Sequence, residues 1–247
     1  MNHLLSAIGS YPFEKLNLLH KDIKPSKEVI NLSIGEPKLN ADSKVLDILN
    51  KETNSFSNYP PMNAVPELSE AYRQYLKNHF GIENVAEDEV CLVAGTREGT
   101  FSIIQALFNK ENVKDKPYVV MPNPFYQIYG GATTLAGGEA KFLDCPEEDN
   151  FQPDLDSLKS EDWQKCQILV LCSPNNPTGS VLPLSKLKDI LDLADKYDFY
   201  VVSDECYVDL YTSEKSCPSI LQASSDSSDR LVALHSLSKR SNLPGFR

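Results

Sequence analysis

The sequence predicts an α/β fold: a mostly parallel sheet with helices on both faces, joined to an N-terminal arm and part of a small domain. Three observations carry that expectation. Short β-rich apolar runs recur at residues 90–94 (VCLVA), 118–121 (YVVM), 167–172 (QILVLC), 199–203 (FYVVS) and 231–235 (LVALH). Each is continuous rather than alternating, the pattern of strands covered on both faces. Helical patterns lie between them, and strands spaced by helices build parallel sheets.

Taken in order, the first ninety residues are loop-rich. An amphipathic start (Leu4, Leu5, Ile8) leads to the turn GEP at 35–37 and then to a helix over 66–79. We therefore expect residues 1–50 to form an arm and part of a small domain, and residues 51–247 a large domain. Next comes a helix from Arg97 to about Phe108 that buries Phe101, Ile104 and Phe108. Another runs from Leu184 to about Tyr197, with Leu187, Ile190, Leu191 and Ala194 on one stripe. The chain stops at Arg247, directly after a motif-dense stretch, so the large domain is expected to be incomplete at its C-terminus.

Composition narrows the partners. Lys plus Arg number 24 against 35 Asp plus Glu, a net charge of −11 with no basic stripe. Nucleic acid and anionic membrane surfaces are therefore poor partners. The apolar runs fall far short of a membrane span, and the N-terminus lacks the basic start and apolar core of a signal peptide. A cytoplasmic protein is expected. Six cysteines are scattered without a C-x-x-C pair and four histidines share no ligand spacing, so the thiols read as reduced and no metal site is indicated.

Parallel strands bring ligand sites to their carboxyl ends. No G-x-G-x-x-G, phosphate-binding G-x-x-x-x-G-K-[ST] or G-x-S-x-G stands there. Five polar clusters do. AGTREGTF (94–101) offers helix-start N–H groups to an anion, although Gly-Thr also serves as a plain cap. NPFYQIYGGA (123–132) sets aromatics past a strand, which on its own favours core packing. SPNNPTG (173–179) is a rigid turn that leaves Asn176 free to donate. DECY (204–207) puts a carboxylate and a phenol after an apolar strand, where the carboxylate requires a cation. SLSKRSNLPGFR (236–247) holds a lysine flanked by hydroxyls, with an arginine eight positions on.

In this order the clusters resemble the class I/II aminotransferases of fold type I, which depend on pyridoxal 5'-phosphate. The resemblance runs from GEP through NYPP at 58–61 to Arg247. Within the family, GTREGTF, NPFYQIYGGA and LSKRSNLPG are most similar to succinyl-diaminopimelate aminotransferases of lysine biosynthesis. The resemblance implies that Lys239 forms the Schiff base with the cofactor and moves a proton at the substrate α-carbon. Asp204 would face the pyridine nitrogen, Tyr207 and Asn176 the ring's phenolate oxygen, and Tyr126 the ring face. Main-chain N–H groups of Gly95, Thr96 and Arg97, with Ser236 and Arg247, would hold the phosphate. Tyr59 would reach the phosphate of a neighbouring subunit, implying a homodimer. Gly35 would contact the substrate carboxylate. No residue here matches the family's arginine for the substrate α-carboxylate. The implied reaction passes an amino group from an amino acid, glutamate by expectation, to an oxo acid such as N-succinyl-2-amino-6-oxopimelate. A β-lyase of the same fold, or an inactive fragment, are the alternatives.

Overall fold

The computed structural model describes residues 2–9, 11–32, 35–59, 65–111, 116–210, 217–224 and 229–246. Its centre is a sheet of five strands: β1 (Tyr118–Asn123), β2 (Glu139–Asp144), β3 (Cys166–Cys172), β4 (Tyr200–Asp204) and β5 (Leu231–Leu234). They run in the order β2-β1-β3-β4-β5, with every adjacent pair parallel. Among the described residues eight α-helices accompany them: α1 (Pro12–His20), α2 (Ser43–Lys51), α3 (Pro66–Phe80), α4 (Thr96–Leu107), α5 (Gln127–Ala136), α6 (Ser160–Trp163), α7 (Leu184–Tyr197) and α8 (Leu237–Arg240).

Side chains alternate across a strand, so each run feeds two cores. Val119, Met121, Ile168, Val170 and Val202 face Ile104 and Phe108 at α4 and Tyr129 and Ala132 of α5. Val120, Leu169, Leu171 and Val201 face Leu187, Ile190 and Ala194 of α7. Trp163 stacks on Phe199 beneath them, with ring centroids 5.5 Å apart. Both faces are thus covered by helices, as the continuous apolar runs predict. Of the α7 stripe, Leu187, Ile190 and Ala194 are buried as expected and Leu191 is half-buried. On α4, Ile104 is buried while Phe101 is only half-buried.

Two expectations at the sheet edges fail. Residues 90–94 lie outside the sheet, with Leu92 57% exposed. An apolar run becomes a strand only where a neighbouring backbone completes its hydrogen bonds. Conversely β2 was not foreseen, because Glu139, Lys141 and Asp144 interrupt its apolar residues. It is an edge strand paired on one side only, and Lys141 holds Asp162 at 2.9 Å. Helix α5 was likewise read only as aromatics following a strand.

Helix α3 starts on Pro66 and ends at Gly81, whose φ of 70° suits the left-handed cap. Its Leu76 and Phe80 bury against Val208 and Cys217, tying α3 to the segment that follows β4. The first segment differs: the amphipathic start forms a 3₁₀ turn, His3–Ala7, and no described residue from 2 to 59 is buried. No helix among the described residues is long and apolar enough to cross a membrane.

Candidate active site

The site lies along the carboxyl edge of the sheet, where four strand ends deliver polar groups. Tyr126 follows β1 as the residue before α5, Asn176 follows β3, Asp204 ends β4, and Ser236 follows β5 as the cap of α8.

Asp204 is the chemical centre. Its carboxylate is buried, and among the described residues no basic side chain forms a salt bridge with it. The Tyr129 hydroxyl donates to Oδ2 at 2.8 Å and the Cys206 N–H to Oδ1 at 3.3 Å. Burial pushes the carboxyl upward, with the neighbouring Glu205 charge adding to the shift, while the bonds from Tyr129 and Cys206 oppose it. Held among the described residues by hydrogen bonds alone, this buried carboxylate is prepared for a cation.

Tyr207 lies three residues on. The Asn176 amide Nδ2 donates to its hydroxyl at 3.3 Å, so the turn after β3 and the loop after β4 meet. The Lys239 ammonium sits 5.7 Å from the centre of the Tyr207 ring and donates to the Gly35 carbonyl at 2.9 Å. Burial raises the Tyr207 phenol above its ordinary range, keeping it an O–H donor. Tyr126 is half-buried, edge-on to Tyr129 with ring centroids 5.8 Å apart. Its phenol is raised by burial and lowered by Arg97, whose side chain reaches it as well as Glu98.

Gly95 takes φ 96° at the start of α4, a conformation suited to glycine. The N–H groups of Thr96 and Arg97 belong to the first turn, which has no helical carbonyl to receive them. Ser236 Oγ accepts from the Ser238 N–H at 3.1 Å, so this hydroxyl caps the short helix that carries Lys239. Arg247 lies outside the described residues, as do residues 60 and 61 of NYPP. Tyr59 is fully exposed.

The structure therefore gathers Gly35, Asn176, Tyr207 and Lys239 by direct contact, with Asp204 and Tyr126 joined through Tyr129. The sequence reading missed Tyr129. Its signal was the spacing of three from Tyr126, one helical turn away, which becomes visible only once α5 is recognised.

The donor set suits pyridoxal phosphate: a buried carboxylate for a ring cation, a phenol and amide for a phenolate oxygen, an amine for an aldehyde, and a helix start for a phosphate. Comparison with known proteins agrees. The model of the family "Aminotransferase class I and II" matches residues 27–247. An LL-diaminopimelate aminotransferase of Aquifex aeolicus is 30% identical over 246 residues, covering 98% of this chain and 62% of that protein. A solved aminotransferase from Neisseria meningitidis Z2491 is 41% identical with a TM-score of 0.93, covering 100% of this chain and 64% of that one. The aminotransferase AspB of Helicobacter pylori 26695 is 36% identical with a TM-score of 0.89, covering 97% and 63%. The chain thus spans less than two thirds of the length of these relatives. With the parallel sheet, the polar strand ends and the family pattern coinciding over residues 27–247, the chain belongs to the class I and II aminotransferases.

Proposed function

We propose that this chain carries the cofactor site of an aminotransferase that moves an amino group between an amino acid, with glutamate as the expected donor, and an oxo acid. The observation that carries the reading is the buried Asp204 carboxylate beside the Asn176–Tyr207 pair and the Lys239 amine. The family depends on pyridoxal 5'-phosphate. When bound, that group supplies an electron sink for the substrate α-carbon.

The chain's own residues do the rest. Asp204 would hold the proton on the ring nitrogen, and Tyr129 and the Cys206 N–H hold the carboxylate in place. Tyr207 and Asn176 would donate to the ring oxygen, and Tyr126 would lie against the ring. The first-turn N–H groups of Thr96 and Arg97, with Gly95 before them, receive the phosphate together with Ser236 and Arg247. The Lys239 amine would hold the cofactor and move a proton to and from the substrate α-carbon. Gly35, whose carbonyl receives that amine here, brings the N-terminal segment to the substrate side.

The substrate class follows the relatives and the motif wording: an oxo acid of the diaminopimelate series. The Aquifex relative is named for LL-diaminopimelate, whereas the wording of the motifs favours the N-succinyl compound. Offering both diamines separately to the loaded protein and following conversion of the cofactor separates them. Residues 1–50, with their exposed apolar side chains, fit an arm that meets a second copy, and the fully exposed Tyr59 beyond them fits the same homodimer. Six free cysteines suit a reducing cytoplasm.

The test is to incubate the chain with pyridoxal phosphate, reduce with borohydride and map the adduct by peptide mass spectrometry. The expected result is cofactor mass on Lys239 that is lost in Asp204→Ala. A folded chain that gains no mass at Lys239 overturns the reading.

A further inference from the structure

Behind Asp204 lies a second buried carboxylate that the transfer reaction does not use. Glu205 follows Asp204 directly, so its side chain leaves the strand end on the opposite side. It is fully enclosed. Its Oε1 accepts from the Ser203 hydroxyl at 3.0 Å and from the Ile220 N–H at 2.8 Å. Its Oε2 lies 3.0 Å from His235 Nε2, within ion-pair distance, and among the described residues neither atom makes a hydrogen bond. On the other side of the ring, His235 Nδ1 is hydrogen-bonded to the Tyr72 hydroxyl of α3.

The group facing Glu205 Oε2 is a ring nitrogen, which can present an N–H to a carboxylate oxygen that only accepts when ionised. Burial, with the Glu205 charge second, raises the Tyr72 phenol above its ordinary range, so Tyr72 keeps its hydrogen. The three groups join α3, the end of β4 and the end of β5, and His235 immediately precedes Ser236, the cap of the helix that carries Lys239. The backbone repeats the link, since the Glu205 N–H donates to the Leu234 carbonyl at 2.9 Å.

We propose that Tyr72, His235 and Glu205 form a buried positioning relay that fixes the ends of β4 and β5 and compensates the Glu205 charge, so that the neighbouring Asp204 carboxylate serves the cofactor. The inference rests on the assignment of Asp204 and Lys239 to the cofactor. Without the His235 N–H, a lone buried carboxylate adjacent to Asp204 opposes Asp204 ionisation, the direction in which Glu205 already acts. Charge compensation has a signature that packing alone lacks: removing both partners is milder than removing one.

The experiment measures the affinity of the cofactor-free full chain for pyridoxal phosphate in four variants, with folding checked by circular dichroism. His235→Leu is expected to weaken binding by about tenfold or more, because it strands Glu205. His235→Gln, which retains an N–H donor, and the double variant Glu205→Gln/His235→Leu are each expected to recover most of that loss. Tyr72→Phe leaves the Glu205–His235 contact and removes one hydroxyl, so a loss of about threefold is expected, and it serves as the test if His235→Leu fails to fold. Unchanged affinity in His235→Leu, a double variant at least as impaired as the single one, or wild-type affinity in Tyr72→Phe overturns the relay. A wild-type chain that binds no cofactor overturns the Asp204 and Lys239 assignment, and the relay with it.

Discussion

The sheet and the N-terminal segment contain similar apolar residues and treat them oppositely. Ile168 and Leu169 in β3 are completely buried, one on each face, whereas Leu19 and Ile30 stand 75% and 83% exposed. The strands gain cover from helices of their own chain on both sides. Residues 2–59 find no such cover and bury no described side chain. The difference teaches that apolar composition alone does not build a core: a residue is buried only where register and crossover helices bring a second surface to it.

The comparison yields four tests, ordered by expected effect. Leu169→Ala removes a side chain from the centre of the α7-facing core and is expected to cost about 2–5 kcal/mol, read from the urea midpoint. Gly138→Ala probes how tightly the opposite face is closed. A Cβ there would approach the Phe108 ring at 2.5 Å, and displacing that ring is expected to cost about 1–3 kcal/mol.

The third test concerns pH and the cofactor-free chain. Asp204 has a raised folded-state pKa, chiefly from burial. A raised carboxyl favours the folded state below its unfolded pKa, and that advantage disappears as pH rises through the folded value. Asp204→Asn is therefore expected to be more stable than wild type at neutral pH, with the difference shrinking as pH falls into the ordinary carboxylate range. Denaturation at several pH values checks it, and a difference independent of pH would show that the carboxylate is not strained by burial. The smallest effect belongs to the arm: Leu19→Ser is expected to shift monomer stability by less than about 0.5 kcal/mol. A larger change that grows with protein concentration in sedimentation and thermal scans would show that a second copy covers this segment.

Much of the layout was legible in the sequence because burial on both faces leaves a strong pattern. β3 and α7 have continuous or periodic apolar residues and appear where that pattern puts them. β2 was hidden because an edge strand tolerates Glu139, Lys141 and Asp144. Residues 90–94 misled for the complementary reason, since an apolar run carries no information about whether a neighbouring strand exists. In the site, Asp204, Tyr207, Asn176 and Lys239 could be singled out from the strand-end clusters. Tyr129 could not, because its bond to Asp204 spans 75 residues. Tyr72 and His235 are 163 residues apart and share no motif.

The sequence by itself determined which chemical groups stand at the strand ends: a carboxylate, a phenol, an amide and an amine, each fixed by its own position after an apolar run. Tertiary structure decided which of them meet. The twofold alternation of a strand sends Asp204 to one side and Glu205 to the other, so adjacent carboxylates acquire different partners. The parallel register then sets the β5 end beside the β4 end, with His235 against Glu205. Chain folding carries Gly35 to Lys239 across 204 residues of sequence. Such contacts depend on packing between distant elements, and local sequence patterns do not encode them.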